Sequence, residues 1–326
     1  MAITLEEAKE GMADKVDQKV IDSFRRSSLL LDNMVFDNCI SPGTGGSTLA
    51  YGYMQLKTPS TAAVRKINSE YTANEAKREE KIAKAIIMGG SFGVDRVLQD
   101  TSGSVDEMAF QAEQKIKATT NYFHHLVING RSGTGGTGYV ENTFDGLRKL
   151  LEGTSSEITS EVSITSSAEL DSNAQAFLDE LDAFLSVLDG QPSMLLMNQH
   201  MLNRLRSVAR RAGYYERSRD DFGRNVERYN GIILMDAGMY YNGSKTVDTV
   251  ETSAEGKTSI YAVSLGLDGF HGISPAGTGV IKSYMPNPND PGAVKTGEVE
   301  LVAGVVLKNT LKAAVLKDIA ISAGGG

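Results

Sequence analysis

Apolar residues recur at spacings of three and four along residues 104–129, a pattern typical of a long amphipathic helix. Ser104 and Glu107 have the spacing of a capping box, which predicts the start of this helix. Asn129-Gly130 predicts its end, because glycine reaches the left-handed conformation. At about 1.5 Å per residue the helix is about 39 Å long, so it needs an extended surface to lie on. Its predicted apolar face holds Val105, Met108, Ala109, Ala112, Ile116, Thr119, Phe123, Leu126 and Val127.

Residues 3–31 form a second, weaker amphipathic pattern with many charges and with Gly11 as an interruption. An amphipathic terminal segment has to cover its apolar face with some surface. Two interpretations stay open: an arm that lies on a neighbouring subunit, which we favour, and a helix that docks on its own domain. The apolar stripe consists of Leu5, Ala8, Met12, Val16, Val20 and Phe24.

The segment 49–100 follows the turn-rich sequence SPGTGGST and predicts a long, protruding, two-stranded loop. Alternation over residues 50–56 indicates a strand, and residues 61–68 are a candidate for a second one. Few large apolar side chains lie within residues 58–80, whereas residues 74–84 are highly charged. An isolated hairpin is only marginally stable in water, so we expect this one to dock on a partner surface. The alternative is a solvated, mobile excursion without a partner.

Regular elements resume after this excursion. Apolar residues predict a return to buried structure at Ile82, Ile86, Ile87, Met88, Phe92, Val94, Val97 and Leu98. The predicted helices beyond residue 130 are a short one near Asp145, one over residues 172–188 with a Ser172 and Gln175 capping box, and one capped by Asn198 and ended by Gly213. The predicted strands are 162–164, 194–197, 232–235, 259–265, 280–284 and closing strands within 299–319. This order predicts an α+β layer with a central sheet.

The composition narrows the class of protein. The chain has 326 residues, 40% of them hydrophobic, which is enough for a sizeable core and two domains. The net charge of −8 argues against a nucleic-acid binder, and no apolar stretch is long enough to predict a membrane span. The charged N-terminus lacks the apolar region of a secretory signal. Cys39 is the single cysteine, which excludes an intrachain disulfide and suits a reducing cytosol.

The sequence predicts no catalytic, cofactor or metal site. Gly133, Gly135 and Gly138 match GxGxxG, but a dinucleotide fingerprint needs a strand before it, and here a helix is predicted. An enzyme that uses this loop is a remote alternative, which stabilisation of the protein by a nucleotide would revive. His124 and His125 are adjacent on the predicted long helix and point about 100° apart, so they cannot chelate a metal together.

An arginine-rich segment, residues 204–228, stands out in this acidic chain. Residues 214–228 hold few apolar side chains and are predicted to form an exposed loop. Its arginines are interspersed with Asp and Glu, which favours contact with a sister subunit over binding of a phosphate backbone or plain solvation. The predicted subunit-contact residues, taken from both charged segments, are Lys57, Arg65, Lys66, Lys77, Arg78, Arg217, Arg219, Arg224 and Arg228.

Four short sequences stand between the predicted elements in a recognisable order. They are Ile128-Asn129-Gly130, Phe144-Asp145-Gly146-Leu147, Met197-Asn198 at a strand end, and Asn230-Gly231 before a strand. Together with the N-terminal arm, the polar loop, the long helix and the closing strands, this order resembles the major capsid proteins of tailed bacteriophages, which have the Hong Kong 97-type fold. The resemblance covers about residues 20–320, and no single motif in it is diagnostic.

The resemblance implies an α+β capsid fold with an N-terminal arm (1–45), an extended E-loop (46–98), a P-domain with the spine helix and closing strands (99–143 and 281–326), and an A-domain with a central sheet (144–280). It implies pentamers and hexamers that form an icosahedral shell around packaged double-stranded DNA, without catalysis or sequence-specific DNA binding. The implied partners are copies of the chain itself, a portal, a scaffolding protein and, in some relatives, a decoration protein. The implied location is the virion, after assembly in the cytoplasm of a bacterial host.

Two questions within this resemblance concern the source of the scaffold and the choice between a phage capsid and an encapsulin. Some relatives carry a scaffolding segment before the arm as a cleaved prosegment, whereas this chain starts with Met1 and the arm. Two interpretations stay open: a separate scaffolding protein, which the initial Met favours, and a chain from which the prosegment has been removed. Encapsulins share the fold but enclose cargo enzymes, and they are the alternative function. They generally have a shorter E-loop and an N-terminal helix that helps to capture cargo, so the long segment 49–84 favours a phage capsid.

Overall fold

The computed structural model describes residues 2–10, 15–39, 48–58, 60–101, 106–133, 142–213, 216–219, 225–275, 280–287, 289 and 291–322. The helices in these ranges are α1 (Leu5–Glu10), α2 (Lys15–Ser27), α3 (Leu29–Asn33), α4 (Arg96–Thr101), α5 (Glu107–Asn129), α6 (Leu147–Leu151), α7 (Ser167–Ser186) and α8 (Gln199–Ala212). The strands are β1 (Phe36–Asn38), β2 (Ala50–Thr58), β3 (Lys77–Lys84), β4 (Ile86–Asp95), β5 (Glu157–Thr159), β6 (Met194–Met197), β7 (Glu216–Arg219), β8 (Asn225–Tyr229), β9 (Ile232–Asp236), β10 (Met239–Tyr241), β11 (Thr246–Asp248), β12 (Lys257–Val263), β13 (Phe270–Ser274), β14 (Ile281–Tyr284), β15 (Val294–Leu307) and β16 (Ala313–Ala320).

The long helix predicted from the sequence is α5, and Asp106 is its N-cap. The Asp106 carboxylate accepts hydrogen bonds from the backbone N–H groups of Met108 and Ala109, at 3.1 and 3.2 Å. The predicted capping box of Ser104 with Glu107 is wrong, because the carboxylate next to the first turn caps it; Ser104 lies outside the described residues. The buried residues of α5 are Ala112, Ile116, Thr119, Thr120, Phe123, His124, Leu126, Val127 and Ile128.

Gly130 ends α5, but not in the predicted left-handed conformation, since its φ is −54°. Glycine is needed at this position because the surrounding backbone leaves no room for a side chain. A Cβ on Gly130 would lie 2.4 Å from the Phe144 carbonyl oxygen and 2.6 Å from that of Leu126. Gly146 crosses at this point, and its N–H donates to the Gly130 oxygen at 2.9 Å. The two glycines therefore let the chain after α5 and the chain before α6 pass in direct backbone contact.

The N-terminal segment folds into three helices instead of the single predicted one, and they pack on α5 of the same chain. Phe24 of α2 is fully buried and shares a hydrophobic cluster with Phe123 of α5. Arg25 makes ion pairs with Glu6 at 3.2 Å and Asp32 at 2.7 Å, which join α1, α2 and α3. The structure therefore has the helices docked on their own domain, whereas we favoured an arm on a neighbouring subunit.

One member of the predicted N-terminal stripe does not fit it: Val16, at the start of α2, is exposed. Met12 and the side chain of Ala8 lie outside the described residues. The predicted return to buried structure after the protruding loop is also only partly correct. Strand β4 alternates, so Met88, Phe92 and Val94 are buried whereas Ile87 is exposed. Three other residues predicted to be buried there, Ile82, Val97 and Leu98, are exposed as well.

The larger sheet has seven strands in the order β5-β16-β12-β6-β9-β8-β7. Strand β6 shows how it separates two cores. Leu195 and Met197 belong to the cluster that includes Phe177 of α7, whereas Met194 and Leu196 belong to the cluster around α5. Helices α7 and α8 therefore cover one face of this central sheet, and the spine side of the molecule covers the other, as the α+β prediction requires.

Three local predictions in this layer are wrong. The short strand is β5, which pairs with β16, and not residues 162–164. Helix α7 begins earlier than predicted, because Ser166 accepts a hydrogen bond from the backbone of Glu169 at 3.2 Å and already caps it. The predicted loop 214–228 contains the antiparallel pair β7 and β8 at the edge of the sheet. Short polar strands carry too little apolar alternation to be recognised from sequence.

The second sheet is built on the long strand β15. Its first ten residues pair with β4 along one edge, and residues 298–301 of the same stretch pair with β14 along the other edge. Residues 304–307 pair with β13, which β1 joins in parallel. Spine helix α5 packs on β4 and β15. Within the described residues, no helix has both the length and the apolar character needed to cross a bilayer.

Candidate subunit-interface surfaces

The protruding excursion is a hairpin of β2 and β3, in register from Ala50 opposite Lys84 to Thr58 opposite Lys77. Its second strand is β3, in the charged stretch, and not the candidate segment 61–68, where the structure has no strand. The prediction placed it wrongly because β3 owes its pairing to β2 and not to its own apolar pattern. The tip between the strands consists of exposed residues throughout residues 60–76.

The base of the hairpin is anchored through alternate residues of β2. Tyr51 Oη donates a hydrogen bond to Asp37 Oδ2 at 2.6 Å, and Gln55 Nε2 donates to the Leu307 carbonyl oxygen at 3.0 Å. Tyr53, between them on the same face, is 7% exposed. The inner face of the hairpin therefore holds its base on β1 and β15, while the outer face points away.

Charge supports the Tyr51 anchor. Burial alone would raise the pKa of Asp37, but hydrogen bonds from Tyr51 and from the Asn38 backbone outweigh it, and the Lys308 ammonium, 3.9 Å away, adds to them. The pKa of Asp37 is therefore lowered and its carboxylate stays ionised. The pKa of Tyr51 is raised, first by burial and then by its bond to that carboxylate, so its hydroxyl remains a donor. No residue of this anchor was predicted from the sequence, although the alternation Tyr51, Tyr53, Gln55 is a signal for an inward face.

The outer face and the tip of the hairpin carry exposed apolar side chains among charged and polar ones. Met54 and Ile82 on the outer face are 56% and 68% exposed. At the tip, Val64 is 100% and Ile67 is 91% exposed. Apolar side chains exposed to this degree at the end of a protruding hairpin are typical of a surface that contacts another molecule. These exposed residues are therefore the ones that we expect to contact a partner surface.

The predicted contact residues of the hairpin lie at and beyond its far end. Arg65, Lys66, Lys77 and Arg78 are exposed, and the side chain of Lys57 lies outside the described residues. Arg65 donates to the Ser69 carbonyl oxygen at 3.3 Å and lies over the Tyr71 ring. That Arg65 and its neighbours contact another subunit stays a prediction.

The arginine-rich segment forms the second candidate surface, at the β7 edge of the seven-stranded sheet. Arg219 is exposed there, whereas the side chain of Arg217 and all of Arg224 lie outside the described residues. Arg228 is half-buried and donates to the Gly231 carbonyl oxygen at 2.9 Å, so part of its role is within its own chain. The structure brings Arg217, Arg219 and Arg228 onto one β-hairpin, but on a different sheet from the β2–β3 hairpin.

The candidate chemistry of the sequence finds no geometric support. Helix α5 precedes Gly133, so the strand that a dinucleotide fingerprint needs is replaced by a helix; Gly135 and Gly138 lie outside the described residues. Among the side chains that the structure describes, no group of three His, Cys, Asp or Glu residues is placed to hold a metal ion. His124 points into the core, where its Nε2 lies 2.7 Å from Ser28 Oγ.

The sequence matches no protein-family model and no curated protein. The fold, in contrast, matches solved structures along most of the chain. A holo-encapsulin complex from Synechococcus elongatus has a TM-score of 0.54 at 16% identity, over 84% of this chain and 83% of that one. The capsid of Myoviridae phage XM1 has a TM-score of 0.52 at 12% identity, over 86% and 89%.

This chain has the Hong Kong 97-type capsid fold. A virus-like particle from Pyrococcus furiosus has the same fold, with a TM-score of 0.51 at 10% identity over 91% of this chain and 95% of that one. The resemblance drawn from the short motifs is therefore confirmed at the level of the fold. These solved neighbours are shells, so the Hong Kong 97-type chain described here belongs to a fold that is used for self-association.

Proposed function

We propose that the chain is the major capsid protein of a tailed bacteriophage, which assembles into pentamers and hexamers of an icosahedral shell around double-stranded DNA. The uncovered tip of the β2–β3 hairpin carries this proposal. Val64 and Ile67 are almost entirely exposed on a hairpin that is too small to be stable without support. In a closed shell each such contact is modest, but symmetry repeats it in every subunit.

The parts of the subunit are proposed to follow the capsid division. Residues 1–45 are the N-terminal arm and residues 46–98 the E-loop region. The P-domain consists of residues 99–143 and 281–326, and the A-domain of residues 144–280, with the arginine hairpin near the capsomer axes. A portal, a scaffolding protein and, in some relatives, a decoration protein are the further partners of such a subunit. The net charge of −8 suits a container, because a strongly basic wall would retain the DNA that has to be packed and released.

A shell that encloses cargo enzymes is the second candidate, and one observation favours it. The N-terminal segment is helical, which is a feature that the resemblance gives for encapsulins, and an encapsulin is among the structural neighbours. The length of the β2–β3 hairpin with its tip, residues 50–84, favours the phage capsid instead. We therefore retain the phage capsid as the main proposal.

The experiment is to express the chain alone and with a candidate scaffolding protein from its own genome neighbourhood, and to examine both by negative-stain electron microscopy and light scattering. Closed shells or ring-shaped capsomers are expected in at least one of the two. Particles with the diameter of a phage head support the main proposal, and small uniform particles that retain a cargo protein support the second. A monomer under both conditions contradicts both. A thermal-shift screen with nucleotides tests the remaining enzyme alternative, and clear stabilisation would revive it.

A further inference from the structure

Strand β4 is a long strand with a bare edge. Its ten residues pair with β15, and in the described part of the chain no other strand pairs with it. In an antiparallel strand every second residue directs its N–H and C=O away from the partner, so this edge presents a row of unpaired backbone groups. Gly89 and Gly93, which consist of backbone alone, are exposed, so the edge is accessible to solvent.

Two other strand edges, those of β14 and β3, are protected, and the edge of β4 is not. The backbone N–H of Ser283 on β14 is capped by the Asp17 carboxylate at 3.2 Å. Strand β3, with the sequence KREEKIAK, is charged at most of its positions, and such charges discourage pairing. Strand β4 has the sequence IIMGGSFGVD, whose single charge is its last residue. Strand β2, whose single charge is Lys57, also has a free edge, but it belongs to a two-stranded hairpin, which is a less rigid template than β4 on helix α5.

The hairpin tip contains a segment whose backbone N–H and C=O groups are also mostly unpaired. Residues 60–65 form no backbone-to-backbone hydrogen bond within the described residues, although they lie beside the returning arm of the tip. Side chains join the two arms instead: the Thr61 N–H donates to Asn74 Oδ1, and Asn74 Nδ2 donates to the Thr61 oxygen, both at 3.1 Å. Apart from Thr61, whose backbone groups bond to Asn74, the backbone of residues 60–65 is therefore free to pair with another strand.

The arm cannot reach β4 of its own chain. Strand β3 runs into β4 with the single residue Ala85 between them, and both follow β15. Gln55, six residues into β2, still contacts Leu307 at the end of β15. The hairpin therefore extends from the end of β4 in the direction of that strand, beyond the sheet. The tip lies at the far end of that line. Pairing between the arm and a β4 edge therefore requires a second copy of the chain.

Charges beside the free edge of β4 indicate which of the two arms of the hairpin tip pairs with it. Glu300 and Glu298 of β15 lie directly opposite Gly89 and Ser91 of β4, and hence on the same face. Neither carboxylate forms an ion pair within the described part of the chain. Because Gly89 and Ser91 leave that face of β4 almost flat, a long cationic side chain on an added strand meets no obstacle on its way to them.

Of the two arms, residues 60–66 are basic, with Arg65 and Lys66, whereas residues 69–76 carry Glu70 and Glu75. In an extended arm Val64 and Lys66 point to the same side. Val64 is 100% exposed, and Ile87, next to Gly89 on the outer face of β4, is 61% exposed. One side of the basic arm thus offers an apolar and a cationic residue to a face with an apolar residue and two carboxylates.

We propose that residues 60–66 of one subunit add as a strand to the free edge of β4 of a second copy, with Val64 against the exposed Ile87 and Lys66 toward Glu298 and Glu300. The proposal rests on the shell function and names the surface that the hairpin tip contacts. Backbone hydrogen bonds supply the contact, and the side chains of the arm set which arm is accepted.

Proline substitution in the full chain tests the backbone pairing. Ala63→Pro and Val64→Pro are made singly, because one of two adjacent N–H groups must face the added edge. Thr72→Pro and Ala73→Pro, in the acidic arm, are the matched controls. All four positions are exposed and make no backbone bond to lose, so all four monomers are expected to keep the wild-type melting temperature. At least one of the first pair should raise the critical concentration for shell assembly about tenfold, and neither control should change it.

A charge exchange tests the side-chain contact. Lys66→Glu should impair assembly about tenfold, and Glu298→Lys with Glu300→Lys in the same chain should restore it. Glu75→Lys on the acidic arm is the control and should have no effect. Wild-type assembly by both Ala63→Pro and Val64→Pro would overturn the strand pairing while the shell function stands. A wild-type chain that never assembles would overturn both.

Discussion

Ser28 Oγ lies 2.7 Å from Nε2 of His124, in the buried contact between the N-terminal helices and the spine helix. Ser28 is also the N-cap of α3, where its Oγ accepts from the backbone of Leu31 at 3.0 Å. One hydroxyl therefore both starts a helix and joins it to α5. Ser27, its neighbour, lies 3.0 Å from Thr120 Oγ1 on the same helix, so the docking of the N-terminal segment includes polar contacts as well as Phe24.

The first prediction concerns pH. Burial lowers the pKa of His124 to about 4, below its ordinary value of about 6.5. Well above pH 6.5 the ring is neutral in both the folded and the unfolded state and contributes no pH dependence. As the pH falls from 6.5 to 4, the unfolded chain binds a proton that the folded chain does not, so stability falls by about 3 kcal/mol. His124→Gln should flatten this part of the curve of unfolding free energy against pH.

The control for that experiment is His200→Gln, because His200 is exposed. Burial also lowers the pKa values of His125 and His271 to about 4, so each of these two should add a similar slope of its own. Urea denaturation at pH 7 and pH 5 measures the effect. An unchanged difference between the two pH values in His124→Gln would show that this ring does not titrate on unfolding.

The second prediction concerns the backbone crossing after the spine helix. Gly130→Ala should destabilise the protein by about 2–4 kcal/mol, because the new Cβ would meet two carbonyl oxygens closer than 3 Å. Gly153→Ala is the comparison: its φ is +72° and no atom lies within 4 Å of the added Cβ, so about 1 kcal/mol of backbone strain is expected. Chemical denaturation measures both. Equal costs would mean that the crossing relaxes.

The third prediction concerns Asn198, which is 1% exposed at the start of α8. Its Oδ1 accepts from the Met201 N–H at 2.8 Å, and its Nδ2 donates to the Val250 oxygen at 2.8 Å and to the hydroxyls of Thr252 and Thr258. Asn198→Ala should cost about 3 kcal/mol, because it removes a cap and leaves buried acceptors unpaired.

Asn198→Asp separates these two roles. The carboxylate of this variant keeps the cap but cannot donate to Val250 and the threonines. If the Asn198→Asp variant proves as stable as the wild type, the amide donors contribute nothing and the role assigned to them is wrong. Thermal and urea unfolding of the two variants beside the wild type gives the answer.

The fourth prediction concerns the hairpin tip. Replacing residues 59–76 with a two-residue Asn-Gly turn should change the stability of the monomer by less than about 1 kcal/mol, because the described part of the tip is exposed throughout. Shells and capsomers should not form. Light scattering and electron microscopy measure assembly, and circular dichroism checks the monomer. Intact shells from the shortened chain would refute the role of the tip in assembly.

The fifth prediction concerns the arginine hairpin. Arg217→Glu with Arg219→Glu reverses charge at the sheet edge and should impair the formation of capsomers about tenfold or more, since like charges across an interface are costly. Arg210→Glu is the control, because Arg210 is exposed and lies on α8 and not on the β7–β8 hairpin. Analytical ultracentrifugation gives the distribution of species. Normal capsomers from the double variant would remove this hairpin from the interface.

Local patterns in the sequence were sufficient to predict the helices and strands that bury one regular face. The apolar repeat of α5 and α7, the apolar run of β6 and the Asn198 cap are all present in the structure. Gly213 ends α8 in the left-handed conformation, with φ of 78°, as predicted. These features depend on residues a few positions apart, so the sequence alone carries the information.

Contacts between distant residues decided the rest. Strand β3 exists because β2 lies beside it, and no apolar pattern of its own marks it. Gly130 is needed because Phe144 crosses at the helix end, so the local pattern identified the right residue for the wrong reason. The N-terminal helices dock on α5 through Phe24 and Ser28, whereas their amphipathic pattern was equally consistent with a neighbouring subunit. A periodic pattern states that a face is covered, but only the tertiary structure states by what.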